Sequence, residues 1–207
     1  MIKTIKLKKI AVFVIIFVIV FGISYYKIFL SGNNINKNRS TKKIDETLNS
    51  FNSYSAEVEV KIKSNKTENV YQMYQEVGDD FSIQEVKNGG DIAGMKIELN
   101  GNNLTISNSR IELSKVYSNY TDLLGNAMFL NTFTKDFFDD KNFSDTSVQD
   151  GEIILEVELK NNQNTYIKYK KLYINEKTLI PTKMEIKNNT KNETICIVYN
   201  NVELKHN

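Results

Sequence analysis

The sequence predicts an α+β protein in which an apolar N-terminal segment precedes a strongly curved antiparallel sheet covered by about two helices. An uncharged run of 17 residues lies between Lys9 and Lys27, long enough to cross the hydrocarbon core of a membrane. Most of the remaining chain alternates apolar and polar residues with the period of a half-buried strand, and turn-rich segments of hairpin length separate these stretches. Two segments interrupt the alternation with helical spacing.

The apolar segment covers residues 10–30 and follows a cluster of four lysines at positions 3, 6, 8 and 9. Basic residues favour the cytoplasmic side, so we expect a cytoplasmic N-terminus and an extracytoplasmic remainder. The segment is either an uncleaved anchor or a long signal peptide. Gly22 and Ser24 form a weak cleavage site, and the run exceeds the roughly 7–15 residues of a typical signal core, which favours the anchor. The polar residues 31–39 then predict a linker, and residues 40–207 predict one domain.

Charge is distributed unevenly along the 207 residues. Residues 1–43 carry nine lysines or arginines and no acidic residue, which leaves 18 basic against 25 acidic residues in residues 44–207. A net acidic domain argues against nucleic acid as a partner, because phosphate binding needs concentrated basic residues. The single cysteine, Cys196, excludes an internal disulfide and offers no lipidation site beside the apolar segment. We expect Cys196 to be buried as a small apolar residue.

The predicted elements begin with a helix that starts near Ser40, because Ile44, Leu48 and Phe51 repeat at i, i+4 and i+7. Alternation from Ala56 to Ile62 then predicts a strand. Further strands are predicted over residues 70–77, 81–87, 95–99, 104–107, 109–116, 153–159, 166–174, 182–187 and 193–199.

A helical interruption is predicted over Tyr120–Phe138, as a helix followed by a second short helical turn. Its aromatic cluster consists of Phe129, Phe133, Phe137 and Phe138. A core position under a sheet-covering helix is the favoured interpretation, and a hydrophobic cleft between helix and sheet is the alternative. Since the connections between strands are of hairpin length, the sheet is expected to be antiparallel and open, in the form of a half-barrel.

The sequence contains no recognisable set of catalytic residues. The one histidine, His206, lies beside the C-terminus, where chain ends fray, so no nucleophile can be paired with a histidine base. The pairs Asp79-Asp80 and Asp139-Asp140 are typical of solvated turns. We therefore predict a binding protein with no catalytic residue, no bound cofactor and no metal.

The order of these elements resembles the LolA-like (lipoprotein-carrier) superfamily. The resemblance rests on the leading helix, the antiparallel strands, the helical interruption and the closing pattern Leu172–Ile186, in which Thr178 lies in a turn and Pro181 opens the next strand. Within that superfamily the Lys- and Asn-rich chain is most similar to the spore germination lipoprotein GerS and its relatives. The chain departs from them by lacking a lipobox cysteine.

The resemblance implies a non-enzymatic protein that binds and activates a cell-wall amidase of the CwlD type, which modifies spore cortex peptidoglycan and thereby serves germination. A carrier that shelters a lipid or lipoprotein acyl chain is the alternative, and a sensor of envelope stress is a third interpretation. Open edge strands could also pair two copies into a homodimer. No interface residue can be assigned from the resemblance.

Overall fold

The computed structural model describes residues 43–64, 66–120, 127–160 and 165–205. Contacts divide the chain into two units, Met1–Glu46 and Thr47–Asn207, and the description below concerns the second unit and residues 43–46 of the first. The predicted anchor (10–30) and linker (31–39) lie outside the described residues. Among the residues described, no helix has both the length and the apolar character needed to cross a membrane.

The leading helix, α1, is described over residues 43–50. Its predicted apolar positions Leu48 and Phe51 are fully buried. The N–H of Phe51 donates to the carbonyl of Leu48, and the N–H of Asn52 donates to that of Asn49, so the helix ends in a tight turn. The predicted helix is therefore confirmed over its described part.

The first half of the sheet is a meander of six strands. They are β1 Tyr54–Lys63, β2 Glu68–Val77, β3 Phe81–Asn88, β4 Met95–Asn100, β5 Asn103–Asn108 and β6 Leu113–Tyr117. The predicted start of the sixth strand at Ser109 is wrong, because residues 109–112 form a turn in which Glu112 has a positive φ of 51°. A left-handed residue of this kind interrupts an extended strand.

The second helix, α2, spans Leu130–Phe138. The prediction placed helix earlier, and it is wrong for residues 127–129, which form a turn and a bend; residues 121–126 lie outside the described part. Phe129 is extended, with φ −88° and ψ 147°, so the helix begins only after it. The short second helical turn of the prediction is thus the main helix of the structure.

Five strands follow: β7 Phe143–Gln149, β8 Glu152–Glu158, β9 Tyr169–Asn175, β10 Pro181–Lys187 and β11 Glu193–Leu204. Strand β7 was missed. A signal for it was present in Asp150-Gly151, whose φ values of 54° and 81° form a two-residue hairpin turn into β8. Pro181 opens β10 as predicted, and β11 continues beyond the predicted Tyr199 to pair with the start of β1.

All eleven strands of the described chain form one open antiparallel sheet, as predicted. The order is β6-β5-β4-β3-β2-β1-β11-β10-β9-β8-β7. Strand β1 therefore pairs with β2 on one side and with β11 on the other, which joins the two halves of the chain at the centre. Strands β6 and β7 are the two edges.

Candidate functional site

One face of the sheet carries the hydrophobic core, here called the core face. On the central strands, cross-strand partners such as Val58 and Tyr199, or Met184 and Leu172, lie on this face. Many of its side chains are nearly or fully buried: Tyr54, Val58, Val60, Met73, Leu155, Leu172, Ile174, Met184, Ile186 and Ile197. Helix α2 meets this face through the Tyr54 hydroxyl, which accepts a hydrogen bond from the backbone N–H of Leu130 at 3.2 Å.

The core face continues across β4, β5 and β6, where its side chains, within the described chain, are no longer fully buried. Register places Ile97 opposite Ile106, Leu99 opposite Leu104, and Leu104 opposite Tyr117. Directly paired residues share a face, so these apolar side chains lie together, with Asn108 and Lys115 among them on the same face. We call this surface the β4–β6 apolar face, and its members are Met95, Ile97, Leu99, Leu104, Ile106, Leu113 and Tyr117. Every residue of these three strands, all within the described chain, is half-buried or exposed.

Strand β6 closes this face as an open edge. Leu113 is 61% exposed, Val116 59% and Tyr117 41%, and Ile111 in the preceding turn is 67% exposed. Soluble proteins usually protect an edge by keeping the strand short or by placing a charged side chain (lysine above all), a proline or a bulge in it. Here the edge strand holds one charge, Lys115, whose ammonium lies 4.7 Å from the centroid of the Tyr117 ring. Lys115 and the shortness of β6 are the only such protections in this strand, and its exposed apolar side chains are suited to pairing with another strand.

The opposite edge, β7, is attached to α2. The hydroxyl of Ser144 donates a hydrogen bond to the carbonyl of Phe137 at 2.8 Å. Phe143 and Val148 are 61% and 55% exposed. The two edges therefore have similar exposure, but β6 continues a wide apolar face and β7 borders the helix.

The four phenylalanines of the predicted cleft occupy different environments. Phe129 and Phe133 are 3% and 0% exposed. Phe137 is stacked on Phe133 with ring centroids 6.1 Å apart, and Phe138 meets Phe137 edge-on at 5.6 Å. Phe138 is 45% exposed. The structure thus brings three of the rings together along α2, with Phe133 packed in the core and Phe138 at the surface.

A buried ion pair, which the sequence analysis missed, fastens α2 to the sheet. The ammonium of Lys170 lies 2.6 Å from Asp136, and the Lys170 side chain is 1% exposed. Lys170 shares its face with Leu172 and Ile174, which are buried core residues of β9. This alternation was the available signal, because a lysine at a core-facing position needs a carboxylate partner.

Cys196 is half-buried on β11, not fully buried as expected. Burial raises the pKa of its thiol, with a further contribution from the charge of Glu193. The raised pKa keeps the sulfur protonated near neutral pH, which makes it a weak nucleophile. In the described part of the chain, no three His, Cys, Asp or Glu side chains come together to hold a metal ion.

Two comparisons concern the sequence of the chain. A family model described as "Sporulation protein YdcC-like" matches residues 7–207. A search of curated proteins found no match.

Among solved structures, a chain of the CwlD amidase in complex with the GerS lipoprotein, from Clostridioides difficile, is 22% identical, with a TM-score of 0.52 over 82% of this chain and 96% of that chain. A LolA superfamily protein from Nitrosomonas europaea is 14% identical, with a TM-score of 0.40 over 80% and 94% of the two chains. The match to the sporulation family model confirms the predicted kind of family, and the fold is shared with a chain of the amidase–GerS complex.

Proposed function

The chain belongs to the YdcC-like family of sporulation proteins, and we propose that it binds and activates a cell-wall amidase at the outer face of a membrane. The observation that carries this proposal is the fold shared with a chain of the complex between an amidase and GerS. The net acidic domain and the protonated thiol of Cys196 are consistent with a protein that acts by binding.

The amidase would dock on the β4–β6 apolar face and the β6 edge. Apolar area removed from water contributes roughly 25 cal/mol per Å², and this face offers seven apolar side chains that the fold leaves half-buried or exposed. An extended segment of the amidase would pair with β6 through backbone hydrogen bonds. Its apolar side chains would then cover Leu113 and Tyr117.

The apolar segment 10–30 would hold this surface close to the membrane. Its support is the sequence pattern alone, with lysines before the segment and Tyr25 and Tyr26 near its far end, where aromatic residues favour the interface. A retained anchor suits an activator that works locally. A carrier that moves between membranes would have to leave.

Co-purification tests this proposal. The full-length chain, extracted in mild detergent, is expected to retain a CwlD-type amidase and to raise its activity on peptidoglycan. An amidase that neither binds nor responds would refute the proposal.

A carrier for a lipid or lipoprotein acyl chain is the second candidate, and the partly exposed β4–β6 apolar face favours it. Two of the four phenylalanines first considered for such a cleft, Phe129 and Phe133, are already packed in the core. Mass spectrometry of the purified full-length chain distinguishes the candidates. A stoichiometric lipid would support the carrier, and a lipid-free chain that still activates the amidase would exclude it.

A further inference from the structure

Positive charge is concentrated in one part of an otherwise acidic domain. Residues 152–191 contain eight lysines and five glutamates, whereas residues 44–151 contain nine basic and 18 acidic residues. The lysine-rich part covers β8, β9 and β10 with their connections. An uneven distribution of this size creates a local positive potential that attracts anions.

A cavity of about 360 Å³ lies in this part of the sheet. Register pairs Glu156 with Lys171 and Glu158 with Tyr169, and these side chains line the cavity together with Lys187. They point away from the core face, since the alternate residues Val157 and Lys170 are buried on it. The cavity therefore opens on the surface opposite α2, and its size falls within the range of small-molecule sites.

Ion pairs hold two of the lining lysines in place. Lys171 pairs with Glu156, and Lys187 lies 3.0 Å from Glu185. Their ammonium groups are fixed before any ligand arrives, which lowers the entropy that binding would cost.

Lys191 differs from these lysines. Its ammonium lies 5.4 Å from the centroid of the Tyr169 ring, and within the described ranges it has no carboxylate within 4 Å. The turn that carries it is fixed, because the Asn188 side chain accepts hydrogen bonds from the N–H groups of Thr190 and Asn192 at 3.0 and 2.9 Å. Among the lining lysines, Lys191 is therefore the one without an ion pair within 4 Å, although its charge acts on Glu158, whose pKa is lowered first by a hydrogen bond from Lys160 and also by Lys191.

The lining also contains two aromatic rings, Tyr169 and Phe143, and Phe143 is 61% exposed. An aromatic ring offers an apolar surface to the C–H groups of a sugar, and carboxylates such as Glu156 accept hydrogen bonds from sugar hydroxyls. Lysine ammonium groups bind a carboxylate through charge-assisted hydrogen bonds.

We infer that this cavity binds a carboxylated sugar, with the sugar ring against Phe143 and the carboxylate at Lys191. The preference for a carboxylated sugar is argued from the lining residues alone. The choice of cell-wall glycan as the source of that sugar rests on the proposed function. The site lies apart from the β4–β6 apolar face, so the chain could hold glycan and amidase together.

Saturation-transfer NMR with the full-length chain in detergent, without any amidase, tests this inference. The probes are N-acetylmuramic acid and N-acetylglucosamine, which differ by the lactyl carboxylate. We expect N-acetylmuramic acid to bind roughly tenfold more tightly, and this preference to shrink as salt rises. Equal binding of the two sugars, or binding of neither, would overturn the inference.

Substitutions inside and outside the cavity test whether the sugars bind there. Lys191→Gln should weaken N-acetylmuramic acid binding roughly tenfold, and Phe143→Ala should weaken both sugars. Lys177→Gln, in the exposed turn between β9 and β10, removes the same charge outside the cavity and should leave binding unchanged. Circular dichroism confirms that each variant is folded. If Lys191→Gln and Lys177→Gln weakened N-acetylmuramic acid binding equally, the effect would come from net charge alone. That result would overturn the proposed site.

Failure of this inference is distinguishable from failure of the proposed function. If the chain activates the amidase but binds neither sugar, the proposed function stands and the glycan site is refuted. If it binds N-acetylmuramic acid but neither binds nor activates the amidase, the glycan site stands and the proposed function is refuted.

Discussion

The backbone N–H of Leu130 donates a hydrogen bond to the hydroxyl of Tyr54 at 3.2 Å, across 76 residues of sequence. Helix α2 has no side-chain cap of its own, because Phe129 occupies the capping position. The Tyr54 hydroxyl in turn donates to the amide oxygen of Gln75 at 3.2 Å. A fully buried tyrosine of the central strand thus serves as the cap of a distant helix.

Tyr54→Phe is therefore expected to destabilise the protein by about 1–3 kcal/mol, because the buried N–H of Leu130 would lose its acceptor. The free energy of unfolding in urea measures this cost. Tyr117→Phe, at an exposed tyrosine of β6, is the matched control and should change stability by less than about 0.5 kcal/mol. An equal cost for the two variants would mean that the Tyr54 hydroxyl does not cap the helix.

Tyr199→Phe should behave in the opposite way. The Tyr199 hydroxyl is buried without a hydrogen-bond partner among the described residues, and burial raises its pKa well above the ordinary value. Removing an unsatisfied buried hydroxyl relieves a desolvation cost of about 1–2 kcal/mol. We expect unchanged or higher stability in urea unfolding. A clear loss of stability would show that the hydroxyl has a partner in solution.

The Lys170–Asp136 pair predicts an asymmetry between two substitutions. Asp136→Ala would remove the carboxylate that lies 2.6 Å from the buried ammonium of Lys170 and should cost about 3 kcal/mol. Lys170→Met removes the buried charge and leaves Asp136, which is 24% exposed and can be hydrated. Its cost should be smaller, about 1 kcal/mol. Chemical denaturation of both variants measures the difference, and a greater loss for Lys170→Met would contradict this explanation.

Acid should destabilise the domain in part through Glu185. Burial alone would raise the pKa of Glu185, but hydrogen bonds from Lys183 and Lys187 outweigh it and hold the pKa below its ordinary value of 4.5. A lowered pKa in the folded state contributes stability above pH 4.5, and this contribution is lost as the pH falls through the folded value.

Glu185→Gln should therefore flatten the fall in unfolding free energy between about pH 6 and pH 3. Glu176→Gln, in the exposed turn after β9, is the control and should keep the slope of the wild type. Identical slopes for all three proteins would show that Glu185 does not contribute to the acid response.

Sequence reasoning succeeded where a local pattern decides the structure. Strands such as β1 alternate strongly because one face is buried, and hairpin turns fixed the antiparallel sheet. Strand β7 was missed because nearly all of its residues are exposed, which leaves no alternation to detect. The start of α2 was misplaced because its cap is Tyr54, which no local reading of residues 120–138 can reveal.

The candidate site was missed for a similar reason. Each of β4, β5 and β6 was predicted as an ordinary strand from its own residues. That they continue the core face follows only from the pairing of Ile97 with Ile106 and of Leu104 with Tyr117, and that this part is only half-buried or exposed follows from the burial of all three strands. Whether a strand's apolar face is buried depends on the other elements that pack on the sheet, and the sequence of one strand does not reveal it.

The proposed activation is measured by titrating a CwlD-type amidase with the full-length chain. Hydrolysis of peptidoglycan by the amidase is expected to rise and then saturate. Val116→Lys should weaken this response roughly tenfold, because a charge on the β6 edge opposes strand pairing. Val148→Lys makes the same change at the β7 edge, where exposure is similar, and should respond like the wild type. An amidase that is unaffected by the wild-type chain, or affected equally by both variants, would contradict the account.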